Sequence, residues 1–215
     1  MGATPRCTRL TANPPGNVPG HAASLLAVEP VEINAGEYYL RAFRSDDRID
    51  DVPALAETFA DPETRRYMPR LTGEDAPSAE TLVLLLTDGW EKDYRWSWAV
   101  CEAVTAEVMA GIVIHDVDHH LKSAEVMCWS QPAHRGKGVL PKALNSVLGW
   151  VYGAMEIHRV TYRHAVSNQA SQRVAEKCGF TLEGRLREEA IVDDQREDQL
   201  LWSRLASDPF PEQLR

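Results

Sequence analysis

The chain has 215 residues, 44% of them hydrophobic and 26% charged, with a formal net charge of −9. That is the make-up of a soluble globular domain with room for a sizeable core, and its acidity disfavours a nucleic-acid partner and favours a cationic one, such as an amine or a basic peptide. Cys7, Cys101, Cys128 and Cys178 stand apart with no Cys-x-x-Cys pair, and no apolar run approaches the roughly 20 residues of a membrane span, so free thiols, a cytoplasmic location and no membrane contact are expected.

Residues 1–30 carry Pro5, Pro14, Pro15, Pro19 and Pro30 without a hydrophobic period. They read as a mobile proline-rich extension ahead of a single domain over 31–215. Residues 38–43 read as a strand. Leu55, Ala56 and Phe59, following Asp51, predict an amphipathic helix that ends near Asp61-Pro62. A second helix is predicted over 78–90, capped by Ser78, with Leu82, Leu85 and Leu86 inward. Residues 96–101, 108–114 and 124–129 then read as an antiparallel meander. Trp90, Trp96 and Trp98 are expected in the core and cleft wall rather than as a stacking platform. The run His115-Asp116-Val117-Asp118-His119-His120 has ligand-like content, but polar residues are what a turn between strands requires. A solvated hairpin without metal is expected.

Further on, Val139, Ala143, Val147, Trp150 and Val151 recur at helical spacing with Leu140, Leu144 and Leu148 alongside, which implies a helix packed on a sheet. Pro141 falls in its first turn, where a missing N–H costs little. Residues 158–165 read as a strand, 170–177 as a helix stopped by Cys178-Gly179, and 181–192 and 199–205 as closing strands. Helices and a mixed sheet together make a layered α/β (α+β) domain.

Chemistry concentrates between residues 134 and 184. His134-Arg135-Gly136-Lys137-Gly138 is a glycine turn feeding a helix, whose unpaired N–H groups and dipole make a seat for phosphate. Asn168-Gln169-Ala170-Ser171 opens the next helix, and Gly179-Phe180-Thr181-Leu182-Glu183-Gly184 follows it. Through these motifs the chain resembles the Gcn5-related N-acetyltransferases, in the branch that includes the ribosomal-protein N-terminal acetyltransferases. The resemblance spans about residues 38–205. It implies a mostly antiparallel central sheet flanked by helices, an acyl-CoA cleft between splayed central strands, and a homodimer. The implied reaction is direct attack of a primary amine on acyl-CoA, acetyl by default, with succinyl or longer groups open. The acceptor is a protein N-terminus, a basic peptide, or a small amine such as a polyamine, an amino-sugar antibiotic or an amino acid. A non-catalytic CoA-binding module is the rival reading.

The resemblance also distributes roles. Backbone groups of Met127, Cys128 and Trp129 would hold the pantetheine arm and polarise the carbonyl. The amides of Gly136, Gly138 and Val139 would hold the pyrophosphate, with Arg135 or Lys137 adding charge. Asn168 caps its helix or bonds the pantetheine arm. Ser171, one turn on, is the acid that reprotonates the leaving thiolate, since Ala175 stands where many relatives carry a tyrosine. Leu140 departs from the family, which commonly has Gly or Ala there. The general base stays open: the branch's carboxylate aligns with Ala190, Glu188 points the same way by strand alternation, and Glu125 is a second candidate. Ordered water is a third.

Overall fold

The structure, a computed structural model, describes residues 29–211, so the proline-rich extension lies outside the described residues except for Glu29 and Pro30. The strands are β1 (Ile33–Ala35), β2 (Tyr38–Arg41), β3 (Trp96–Glu102), β4 (Val108–Asp118), β5 (Ser123–Ser130), β6 (Arg159–Ala165), β7 (Thr181–Val192) and β8 (Gln195–Leu205). The helices are α1 (Val52–Ala60), α2 (Pro62–Tyr67), α3 (Pro69–Thr72), α4 (Ala79–Glu91), α5 (Val139–Gly153) and α6 (Gln169–Lys177). One sheet holds all eight strands in the order β1-β2-β3-β4-β5-β6-β8-β7. Every neighbouring pair is antiparallel except β5 with β6, which the α5 crossover makes parallel.

Alternation divides the strand residues between two cores. Trp96, Trp98, Ala110, Ile112, Ala124, Val126, Val160 and Tyr162 face the α5 side. Ala99, Cys101, Val113 and Trp129 face α1 and α4 with Phe43, Leu55, Leu82 and Leu86. The central strands are covered on both faces, which is why β3 reads as a near-continuous apolar run. Trp90, Trp96, Trp98 and the half-buried Trp150 interlock edge-on or tilted at 4.9–5.8 Å. Each fully buried indole finds an acceptor: Trp90 donates to Ser97 O at 3.1 Å, Trp96 to Asp93 Oδ1 at 3.0 Å and Trp98 to Val31 O at 2.8 Å.

Some expectations shift. Leu85 is 40% exposed while Val83 is buried, so the apolar stripe of α4 is rotated toward Leu82, Val83, Leu86 and Trp90. Ser78 does cap that helix, accepting from Thr81 N at 3.2 Å. The first helix does end at Asp61-Pro62, with Asp61 extended as the C-cap of α1, but Pro62 also opens α2, as Pro69 opens α3, where a proline's fixed φ suits a helix start. The 115–120 run is not a plain turn, because β4 continues through it to Asp118 with a bulge at the left-handed Asp116. Two of its three histidines pair with carboxylates, His115 with Asp116 at 3.1 Å and His119 with Asp93 at 2.9 Å.

Candidate active site

The β5–β6 ladder runs only from Ser123↔Arg159 to Val126↔Tyr162. Beyond it β5 stays paired with β4 as far as Ser130↔Ala110, and β6 stays paired with β8 as far as Ala165↔Gln199. The two parallel strands therefore part after Val126. Over residues 127–130, the peptide groups of β5 that would have bonded β6 have no strand partner among the described residues. Backbone N–H and C=O groups at the centre of a sheet demand partners, so this edge is fitted to an extended ligand carrying amides of its own. Met127, Cys128 and Trp129 lie on it. Their side chains have other duties: Trp129 is buried under Phe43 and Phe59, at 5.9 and 5.5 Å between rings.

At the end of β5 a short 3₁₀ turn, Pro132–His134, leads through Arg135 to the glycines. Gly136 has φ +74° and Gly138 φ +79°, and a Cβ built on either meets nothing within 4 Å. Left-handed backbone and open space coincide, so the turn presents bare main chain. Gly138 is the N-cap of the 15-residue α5 and offers no side-chain cap, which leaves the first amides of the helix free for an anion. Leu140 does not obstruct them. Its side chain is 9% exposed and joins Ala143, Leu144 and Val147 in the core.

Arg135 is committed elsewhere. Its guanidinium binds Asp61, Glu63 Oε2 at 2.9 Å and Thr64 Oγ1 at 2.9 Å, clamping the glycine turn to α2 and holding the Asp61 carboxyl below its ordinary range. The other end of α2 reaches the opposite bank. Tyr67 Oη donates to Ser167 O at 3.4 Å, and Arg66 pairs with Asp193 at 2.9 Å. Thus α2 spans the mouth of the opening, from the turn after β5 to the turn after β6. Lys137 is exposed.

Past β6, Asn168 Oδ1 accepts from Ser171 N at 3.0 Å and caps α6. Ser171 is part-buried, with its Oγ 2.5 Å from Tyr162 Oη. Ala175 is fully buried against the sheet. The motifs do not point to Tyr162. The available signal was a tyrosine on the inward face of a strand, since a buried phenol needs a hydrogen-bond partner.

The carboxylates stand apart from Ser171. Glu125 lies one residue before the strands part and, by alternation, on the α1–α4 face with Met127 and Trp129; it pairs with Arg163 at 3.2 Å and its side chain is 19% exposed. Glu188 stands in a register break of β7 with φ +54°, exposed, its N–H donating to Asp198 Oδ1 at 2.8 Å. Strand alternation does not carry across that bulge, so Glu188 is not brought to the side of Ala190 by alternation. Among the described residues no group of three or more His, Cys, Asp or Glu is arranged to hold a metal ion, and no helix is long and apolar enough to cross a membrane.

A parallel pair that splays in mid-sheet, beside a helix N-terminus shaped for an anion, is the frame of an acyltransferase that draws on acyl-CoA. Residues 38–181 match the family model described as an acetyltransferase (GNAT) domain, and the chain belongs to that family. It is accordingly an N-acetyltransferase, with the α/β fold of that family. The chain is 26% identical over 161 residues, 72% of its length and 86% of the relative's, to YdaF of Bacillus subtilis, a protein assigned by name only to ribosomal N-acetylation. It is 28% identical over 99 residues to the ribosomal-protein-serine acetyltransferase of Escherichia coli, covering 46% of this chain and 55% of that one. Among solved structures, Mycobacterium smegmatis RimJ in complex with CoA-disulfide superposes with a TM-score of 0.70 at 26% identity, over 83% of this chain and 87% of that one. Spermidine N-acetyltransferase from Vibrio cholerae in complex with CoA and spermine gives 0.69 at 22% identity, over 80% and 96%.

Proposed function

We propose that the chain acetylates the N-terminal amine of a basic protein from acetyl-CoA, with Ser171 as the acid that serves the leaving thiolate. The observation that carries this reading is the unpartnered edge of β5 beyond Val126 opening toward Ser171, with the bare glycine turn at its far end. Met127, Cys128 and Trp129 offer main-chain partners to the pantetheine arm and the thioester carbonyl. The amides around Gly136, Gly138 and Val139 hold the pyrophosphate, and Asn168 fixes the start of α6. Lys137 is the spare cation, since Arg135 is taken up by α2.

The chemistry is a displacement on the thioester. The free amine forms the new C–N bond, the C–S bond breaks, and its electron pair leaves on sulfur with a proton from Ser171. The nitrogen sheds its own proton, which balances the one delivered. Glu125 is the better-placed carboxylate to receive it, directly or through water, because it borders the opening on the face away from Ser171. Holding both reactants in one opening supplies much of the rate. A protein acceptor is favoured by relatives named for ribosomal proteins and by the acidic chain. The spermidine acetyltransferases among the relatives support a polyamine as the second reading. A cytoplasmic location and a homodimer belong to the same proposal.

Mass spectrometry of acceptors incubated with enzyme and acetyl-CoA separates these readings. The panel holds a basic peptide with a free N-terminus, the same peptide with a blocked N-terminus, and spermidine. Acetylation of the free peptide alone is expected. Acetylation of spermidine alone moves the assignment to polyamines, and loss of preference between free and blocked peptide overturns the N-terminal reading.

A further inference from the structure

Alternation along β6 sends Val160, Tyr162 and His164 inward, and Tyr162 is only 3% exposed. It is also the last residue of β6 still paired with β5, opposite Val126, so it stands where the two strands part. Its ring is held by Phe180 at 5.7 Å and His164 at 6.2 Å. Its hydroxyl lies 2.5 Å from Ser171 Oγ and 3.6 Å from Cys128 Sγ. The three groups come from α6, β6 and β5 and cross the base of the opening.

The direction of these bonds follows from donor strength. A phenol is a better donor than an aliphatic alcohol, and the alcohol oxygen is the better acceptor. Burial pushes the Tyr162 phenol well above its ordinary range, so its proton stays in place. Burial likewise pushes the Cys128 thiol up to about 11, so that thiol keeps its proton and has the phenol oxygen beside it. The consistent chain is Cys128 S–H to Tyr162 Oη, then Tyr162 O–H to Ser171 Oγ. Ser171 then has an occupied oxygen and an unspent proton of its own.

We infer that Tyr162 is a positioning residue for catalysis: by donating to Ser171 Oγ it fixes that hydroxyl and turns the serine proton into the opening, toward the leaving sulfur. This rests on the reading of Ser171 as the acid. It also gives the serine oxygen a donor at the moment its proton passes to sulfur.

The test is a double-mutant cycle of Tyr162→Phe and Ser171→Ala on the full chain, with kcat, KM for acetyl-CoA and melting midpoint read for each. Tyr162→Phe keeps the ring that Phe180 and His164 pack against, so a midpoint near the parent's is expected. Its kcat should fall about 10-fold or more with KM changed less than about 2-fold, as for lost assistance to an acid. In the Ser171→Ala background the same change should do almost nothing to kcat, because its effect passes through the serine. Independent, multiplying losses would overturn the inference, as would a rise in KM at constant kcat. Normal kcat in Tyr162→Phe beside a slow Ser171→Ala removes this inference alone. Normal kcat in Ser171→Ala removes the acid reading beneath it.

Discussion

Gly111 of β4 lies directly opposite Trp129 of β5 in the ladder, and the indole folds across it. A Cβ at this position would stand 2.2 Å from Trp129 Cζ2, 2.3 Å from Cε2 and 2.8 Å from Cη2. An ordinary carbon–carbon approach is about 3.5 Å, so the ring would have to retreat by about 1.3 Å. It has nowhere to go, being stacked on Phe43 at 5.9 Å and tilted against Phe59 at 5.5 Å. Overpacking of this kind costs about 3 kcal/mol, the upper end of its usual range. For a chain of this size that lowers the melting midpoint by roughly 6–12 °C. Because Trp129 belongs to the unpartnered stretch of β5, moving it also shifts the edge proposed for the pantetheine arm, so KM for acetyl-CoA should rise in Gly111→Ala. Gly149 is the control: it is exposed within α5, and a Cβ there meets nothing within 4 Å. Gly149→Ala should stabilise by about 1 kcal/mol, raising the midpoint by about 2–4 °C. Thermal unfolding of both variants with and without acetyl-CoA decides the matter. A Gly111→Ala protein that melts within about 2 °C of its parent and keeps its KM would refute the packing argument.

Asn168→Ala removes the cap on α6 and should cost about 1 kcal/mol; since the lost bond also anchors the Ser171 amide, kcat should fall with it, and a stable variant with full kcat would separate cap from site. Asp51 binds Arg41 through two bonds of 2.7 and 2.8 Å in the core, and Asp51→Ala should cost about 3–5 kcal/mol in urea denaturation by leaving that guanidinium buried and unpaired. His164 Nε2 accepts from Trp202 Nε1 at 3.0 Å, and burial lowers the imidazole below its ordinary 6.5. The unfolded chain therefore binds this proton first, so the contribution of His164 is complete above pH 6.5 and is lost as pH falls toward its lower folded value. A melting midpoint that declines from about pH 7 to about pH 5 in the parent but not in a folded His164→Gln variant is the expected outcome; equal declines would assign the effect to other groups. Glu183 acts lower down: Arg159 and then Ser203 hold it at about 2, so its contribution is lost between its ordinary 4.5 and that value.

The sequence discloses the features that are written in local pattern. The helical period of Val139, Ala143, Val147 and Val151, the glycines ahead of them, and the caps Ser78 and Asn168 all act over a few residues, and each is found where the pattern put it. What the pattern did not disclose depends on partners distant in the chain. Arg135 reads as a phosphate ligand until α2, some 70 residues earlier, brings Asp61 and Glu63 to it. Leu140 reads as a departure from the family until its direction into the core is seen. Glu188 reads as a neighbour of Ala190 until the bulge of β7 breaks the alternation. Tyr162 belongs to no motif, and its part depends on a strand and a helix closing over it.

Hydrogen exchange of the backbone amides with and without saturating acetyl-CoA shows where the cofactor lies. With the cofactor along β5 after Val126 and at the head of α5, exchange should slow on binding within residues 127–130 and 136–140. Protection confined to other elements, with those two stretches unchanged, would contradict that placement.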